Sequence, residues 1–152
     1  MKMAAQRWSR GGQAATPPSF SLLSLNVARQ ATLGGLAVLL DQLPQLPTVI
    51  FLQEVALAAD QLQAAAQRLG FVSHVSPSPP DSGRRLVLLY RAAEVPAITD
   101  FTPGFAQLVT FSSVSFLHVH APSGAHNAAD RDNFFRVDVA DAIAALPSPP
   151  CS

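Results

Sequence analysis

Cysteine is almost absent. Cys151 is the only one in 152 residues, which excludes an internal disulfide and a thiolate metal cluster and is compatible with a reducing, intracellular compartment. Charge is scarce too: Asp, Glu, Lys and Arg make up 13% of the chain, against about 25% in an average soluble domain. Apolar residues reach 49%, so burial dominates and wholesale disorder is excluded. Ten basic residues balance ten acidic ones, and the basic excess expected of a purely electrostatic nucleic-acid binder is missing. Asp41, Pro44, Pro47 and Glu54 interrupt the most hydrophobic region, so no run reaches the roughly 18 apolar residues that suggest a membrane span. No fixed-period repeat, Gly-rich phosphate loop, serine elbow or cysteine nucleophile motif occurs.

The length suits one domain, for which roughly 100 to 200 residues is usual. Its charge is uneven: Lys2, Arg7, Arg10 and Arg29 give residues 1–29 a balance of +4, and residues 92–152 carry −4. Residues 1–18 are Gly-, Ala-, Gln- and Pro-rich and read as a disordered basic lead, with order expected from about Ser19. The lead lacks the apolar run of a secretory signal, and its acid-free, Arg-bearing character also suits a transit peptide. Residues 147–152 read as a Pro/Ser tail.

Between them, Ser19–Val27 and Thr48–Val55 are short, apolar on both faces and rich in strand-forming residues, as buried strands are. The segment between them has helical spacing at Leu33, Leu36, Ala37, Leu40 and Leu43 before Pro44. Strand, helix, strand predicts a right-handed crossover with parallel neighbours. A second helix is predicted over 57–69, stopped by Gly70. Short runs at 71–76, 85–91, 98–101, 105–111 and 114–120 predict strands of an antiparallel or mixed sheet. The last helix is expected over 130–146, with Phe135, Val139, Ala142, Ile143 and Leu146 on its inner stripe.

Parallel pairing would bring Asn26 and Glu54 to one sheet edge, where open α/β sheets bind ligands. Glu54 follows a buried apolar run, and an oxygen ligand there suits Mg²⁺, which needs only one or two carboxylates beside waters and substrate phosphate. A strand-end Glu facing water has the same pattern. Asn26 is equipped to donate to a phosphate oxygen and accept from a neighbouring group, or simply to close its turn. His118 and His120 alternate with Val119 and project from one strand face, as acid, base or donor. No third ligand stands at the spacing zinc requires. Arg84 and Arg85 form a basic loop able to touch phosphate, though a solvated turn is the commoner reading of such a pair. Asp130 and Asp132 open the last helix, where acids complement the helix dipole.

In order, Leu-Leu-Ser-Leu-Asn26-Val, Val-Ile-Phe-Leu-Gln53-Glu54-Val, the strand Leu-Val-Leu-Leu-Tyr90-Arg91 led by Gly83, His120-Ala-Pro-Ser123-Gly124 and Arg131-Asp-Asn-Phe-Phe135 resemble the endonuclease/exonuclease/phosphatase superfamily. They look most like the apurinic-type endonuclease domain of non-LTR (LINE-type) retrotransposons. The resemblance covers about residues 19–146 and implies the N-terminal half of a four-layered α/β sandwich, two packed mixed sheets flanked by helices. It also implies phosphodiester hydrolysis of DNA with Mg²⁺ or Mn²⁺. By it, Glu54 is the metal ligand, Asn26 borders the scissile phosphate, and His120 stands where these branches usually carry Tyr; Arg84 of the basic loop and Ser123 are the expected substrate contacts. The family's Gly-Asp-Phe-Asn and Ser-Asp-His segments do not occur here. The resemblance thus implies a chain missing the C-terminal half of its domain and inactive alone; the alternative is an α/β interaction module that keeps the scaffold without catalysis.

Overall fold

The structure is a computed structural model, and it describes residues 3–8, 20–28, 32–77, 85–91, 93–101, 105–121 and 128–146, with backbone only for 3–8. A first sheet combines β1 (Met3–Trp8), β2 (Phe20–Asn26), β3 (Val49–Gln53), β4 (Val72–Val75) and β5 (Val87–Tyr90) in the order β1-β2-β3-β5-β4. β2 and β3 are parallel and joined through α1 (Gly34–Gln42), whereas β5 is antiparallel to β3 and β4. A second sheet is an antiparallel meander of β6 (Ala97–Phe101), β7 (Ala106–Thr110) and β8 (Ser115–Val119).

β3 decides the layering. All five of its residues are buried, and because successive side chains point to opposite faces, two separate cores meet at this strand. Ile50 and Leu52, with Leu23, Leu25, Val87 and Leu89 from its neighbours, pack under Leu36 and Leu40 of α1 and Leu62 and Ala66 of α2 (Ala59–Leu69). Val49 and Phe51, with Phe20, Leu88 and Tyr90, pack instead against Val109, Phe111 and Phe116 at the second sheet. Phenylalanine rings fill this inter-sheet layer, with centroids 4.9 Å apart for Phe20–Phe111 and 5.8 Å for Phe51–Phe116, within the range of favourable aromatic pairs.

Gly70 closes α2. Its left-handed φ of 86° lets its N–H reach the Gln67 carbonyl and turns the chain into β4. The fourth layer is a helical rod of α3 (Ala128–Asn133), a π-helical stretch Phe134–Val139 and α4 (Ala140–Ala144), which lies against β7.

Two expectations are corrected. The lead expected to be disordered contains β1, antiparallel to β2 with Met3 opposite Leu25 and Trp8 opposite Phe20. Composition did not reveal it because this pairing is made by backbone groups that β2 would otherwise leave open at a sheet edge. In the last helix, Phe134 is buried at 2% exposure, and Phe135 at 47% and Ile143 at 54% face outward. Wider hydrogen-bond spacing across the π-helical turns shifts the phase of a stripe drawn at the α-helical period, and of its members only Ala142 is fully buried. The tail at 147–152 lies outside the described residues.

Burial of β3 on both faces is expected to make neighbouring positions equally intolerant. Ile50→Val should cost about 0.5–1.5 kcal/mol and Phe51→Ala about 3–5 kcal/mol, whereas exposed Val38→Ala should stay within about 0.5 kcal/mol. Urea unfolding of the three variants checks this, and a neutral Phe51→Ala would contradict the inter-sheet core.

Candidate active site at the sheet edge

The two parallel strands end side by side, with Asn26 opposite Gln53. Just beyond each strand stands a non-glycine residue with positive φ, Ala28 at 51° and Glu54 at 55°, the two such positions among the described residues. This backbone region is uncommon for side chains of that kind and persists only where surroundings enforce it. Around Glu54 the enforcement is visible: the Gln53 carbonyl accepts from Val27 N–H at 3.1 Å, and Val55 N–H donates to the Arg85 carbonyl at 3.4 Å.

The second sheet brings a partner to Glu54. Phe116 and His118 point into the sandwich from β8, and His120 follows two residues on, its backbone N–H held by the Phe105 carbonyl at 2.7 Å. His120 Nε2 lies 3.4 Å from Glu54 Oε1, and both side chains are partly buried. Glu54 and His120 thus face each other across two sheets.

Asn26 Oδ1 accepts the Ala28 N–H at 2.8 Å, closing the turn that carries the positive φ. Turn closure was one of the two readings open for Asn26; its oxygen keeps a second lone pair, and its amide nitrogen remains a donor. Arg84 and Ser123 lie outside the described residues. Arg85, the second member of the basic loop, is partly buried beside Val55, and its Nε has no hydrogen-bond partner among the described residues. Of the two arginines the sequence pointed to Arg84 as the substrate contact; Arg85 is the one among the described residues.

His118 is separated from His120 by its environment. It is buried against the Phe51 ring at a centroid distance of 4.6 Å, and its pKa is lowered from 6.5 to about 3, first by burial and then by His120 nearby. A neutral interior imidazole is no catalytic acid at neutral pH. Its Nε2 meets Gln53 Nε2 at 2.7 Å and its Nδ1 meets Gln107 Oε1 at 3.4 Å. Gln53 Nε2 also reaches Ser24 Oγ at 3.2 Å, and Gln107 Nε2 donates to Asp100 Oδ1 at 3.0 Å. Asp100 Oδ2 in turn pairs with His74 Nε2 at 3.0 Å. The sequence singled out neither glutamine; a polar residue inside an otherwise apolar strand, as at Gln53 and Gln107, was the available signal.

Glu54 offers a carboxylate oxygen at this edge, the ligand type that hard divalent ions take. No group of three or more His, Cys, Asp or Glu side chains converges among the described residues.

No protein-family model matches the chain, and no curated protein matches it. Among solved structures, a 3′ phosphatase, NExo, from Neisseria, bound to its product DNA hairpin, aligns with a TM-score of 0.62 at 19% identity. The alignment covers 83% of this chain and 53% of that one, so this chain spans about half of that protein's length. The likeness shows the fold: a mixed α/β sandwich of two sheets flanked by helices, as in that 3′ phosphatase. Among the described residues no helix is long and apolar enough to cross a membrane.

The depressed His118 pKa makes stability pH-dependent with a definite sign. The unfolded chain takes up a proton near 6.5 and the folded chain only near 3, so stability is expected to fall as pH drops through that window, by up to about 1.4 kcal/mol per pH unit. His118→Phe should remove this part of the slope. Urea unfolding between neutral and mildly acidic pH measures it, and identical slopes for variant and wild type would refute the assignment.

Proposed function

We propose that this chain carries the front part of a divalent-metal-dependent hydrolase of phosphoester bonds in DNA. The juxtaposition of Glu54 and His120 at the ends of two different sheets carries the reading. Apolar strands end there in polar groups, the backbone is strained at Ala28 and Glu54, and strain of this kind clusters at functional sites. Glu54 holds the ion. When bound, Mg²⁺ or Mn²⁺ polarises a phosphoryl oxygen and offsets its charge. His120 orients the Glu54 carboxylate and donates to a phosphate oxygen when protonated; Asn26 donates from its amide nitrogen. Arg85, together with Arg84 and Ser123, supplies contacts to the DNA backbone.

Two likenesses support DNA as substrate: the motif order of LINE-type endonucleases and the 3′ phosphatase structure with its DNA hairpin. The His at position 120, where the LINE-type branch usually has Tyr, leaves a retrotransposon-type origin as the finer part of the proposal. The chain alone is inactive in this reading, because the Gly-Asp-Phe-Asn and Ser-Asp-His segments are not in its sequence and groups that act as a unit fail together. A second reading is a scaffold that binds without catalysis.

Supercoiled-plasmid nicking and release of phosphate from a 3′-phosphorylated hairpin, both with Mg²⁺, separate these readings. The chain alone should give background rates. Joined to the second half of a fold-related nuclease it should cleave, and Glu54→Ala should then reduce the rate on the order of a thousand-fold, the equivalent of several kcal/mol of transition-state stabilisation. Cleavage that survives Glu54→Ala would overturn the site, and silence of the joined protein would favour the non-catalytic scaffold.

A further inference from the structure

An unbroken line of polar side chains crosses the interior from β4 and β6 on one side to the candidate site on the other: His74, Asp100, Gln107, His118 and Gln53. Its middle members are among the few buried polar side chains of the described residues, Gln107 at 0%, His118 at 5% and Gln53 at 8% exposure. Buried polar groups are kept when partnered, and each partner then restricts the next.

Here the restriction has a direction. A carboxylate accepts and does not donate, so Gln107 presents its Nε2 to Asp100 and its Oε1 to His118. An amide oxygen also only accepts, which places the His118 hydrogen on Nδ1. The neutral ring then offers Nε2 as an acceptor, and Gln53 must donate from its own Nε2 across 2.7 Å. The same amide reaches Ser24 Oγ at 3.2 Å and the Phe51 carbonyl at 3.4 Å. Gln53 is therefore tied to β2, to its own strand and to β8, directly before the strained Glu54.

We propose that this line is a positioning device in which Asp100 fixes the tautomer of His118 through Gln107, and His118 fixes Gln53 so that Glu54 keeps its left-handed backbone and faces His120. Asp100 and His118 are positioning residues; neither touches a ligand. The proposal rests on reading Glu54 and His120 as the site, and its tautomer claim stands or falls separately.

Isotope-labelled histidine in the full chain, followed by NMR at neutral pH, should show His118 as the neutral Nδ1–H tautomer. Asp100→Asn, which can present either a donor or an acceptor to Gln107, should let the Nε2–H tautomer appear. Mn²⁺, read by broadening of the Glu54 and His120 resonances, should bind wild type, and about 10-fold more weakly in Asp100→Asn and Gln53→Leu, the low end of what loss of a ligand-orienting partner costs. Ile50→Val, which loosens the opposite face of the same strand, should leave tautomer and Mn²⁺ response unchanged. An Nε2–H tautomer in wild type, an unaltered tautomer in Asp100→Asn, or equal Mn²⁺ affinity in all variants would overturn the device. Absence of any Mn²⁺ effect at Glu54 in wild type would instead sink the site reading and leave the tautomer result to decide the first link.

Discussion

β3 presents no face to solvent: five consecutive residues are buried, alternately toward the helices and toward the second sheet. The other layers follow from that constraint. One side needs α1 and α2, the other needs the β6-β7-β8 meander, and polar groups emerge only where the strand ends. At about 25 cal/mol per Å² of apolar surface, a strand wetted on one face would forfeit several side chains' worth of burial. The position of Glu54 is thus a consequence of hydrophobic layering before it is a matter of chemistry.

The same constraint makes the polar line costly unless complete. Gln53, Gln107 and His118 are buried, His118 against the Phe51 ring, and an unpartnered amide there costs about 1–3 kcal/mol. Each is satisfied by the next, and the line ends at the partly exposed His74–Asp100 pair. Apolar substitutes would stabilise the layer at least as well. What the polar line adds is orientation, because hydrogen bonds have direction and methyl groups do not.

Much of this was legible in the sequence where a side chain's surroundings come from its own neighbours in the chain. Strand β3 announced itself by a continuous apolar run, α2 by its stripe and Gly70, and the parallel pairing of β2 and β3 by the helix between them. Asn26 and Glu54 followed as strand-end residues. The meeting of His120 with Glu54 was reachable only by resemblance, since nothing local to either residue points at the other. β1 escaped because edge pairing leaves little mark on composition. The inner face of the last helix escaped because its period changes midway, so Phe135 took the place that belongs to Phe134. The His118–Gln53 bond spans 65 residues and depends on how two sheets are stacked, which no window along the chain contains.

Chain order gives that long-range bond a temporal meaning. β2, α1 and β3 are adjacent in sequence, and β5 completes the surroundings of β3 by Tyr90. β8 comes later still, and contacts between distant segments form late because loop closure must be met first. The strand that bears Glu54 can therefore be paired and half-covered while its carboxylate still has no imidazole opposite. Docking of the second sheet is the step that turns a folded scaffold into an assembled site, and a misdocked meander would leave an interior glutamine without its partner. Stacking of the two sheets, the His118–Gln53 bond and the meeting of Glu54 with His120 are thus made together.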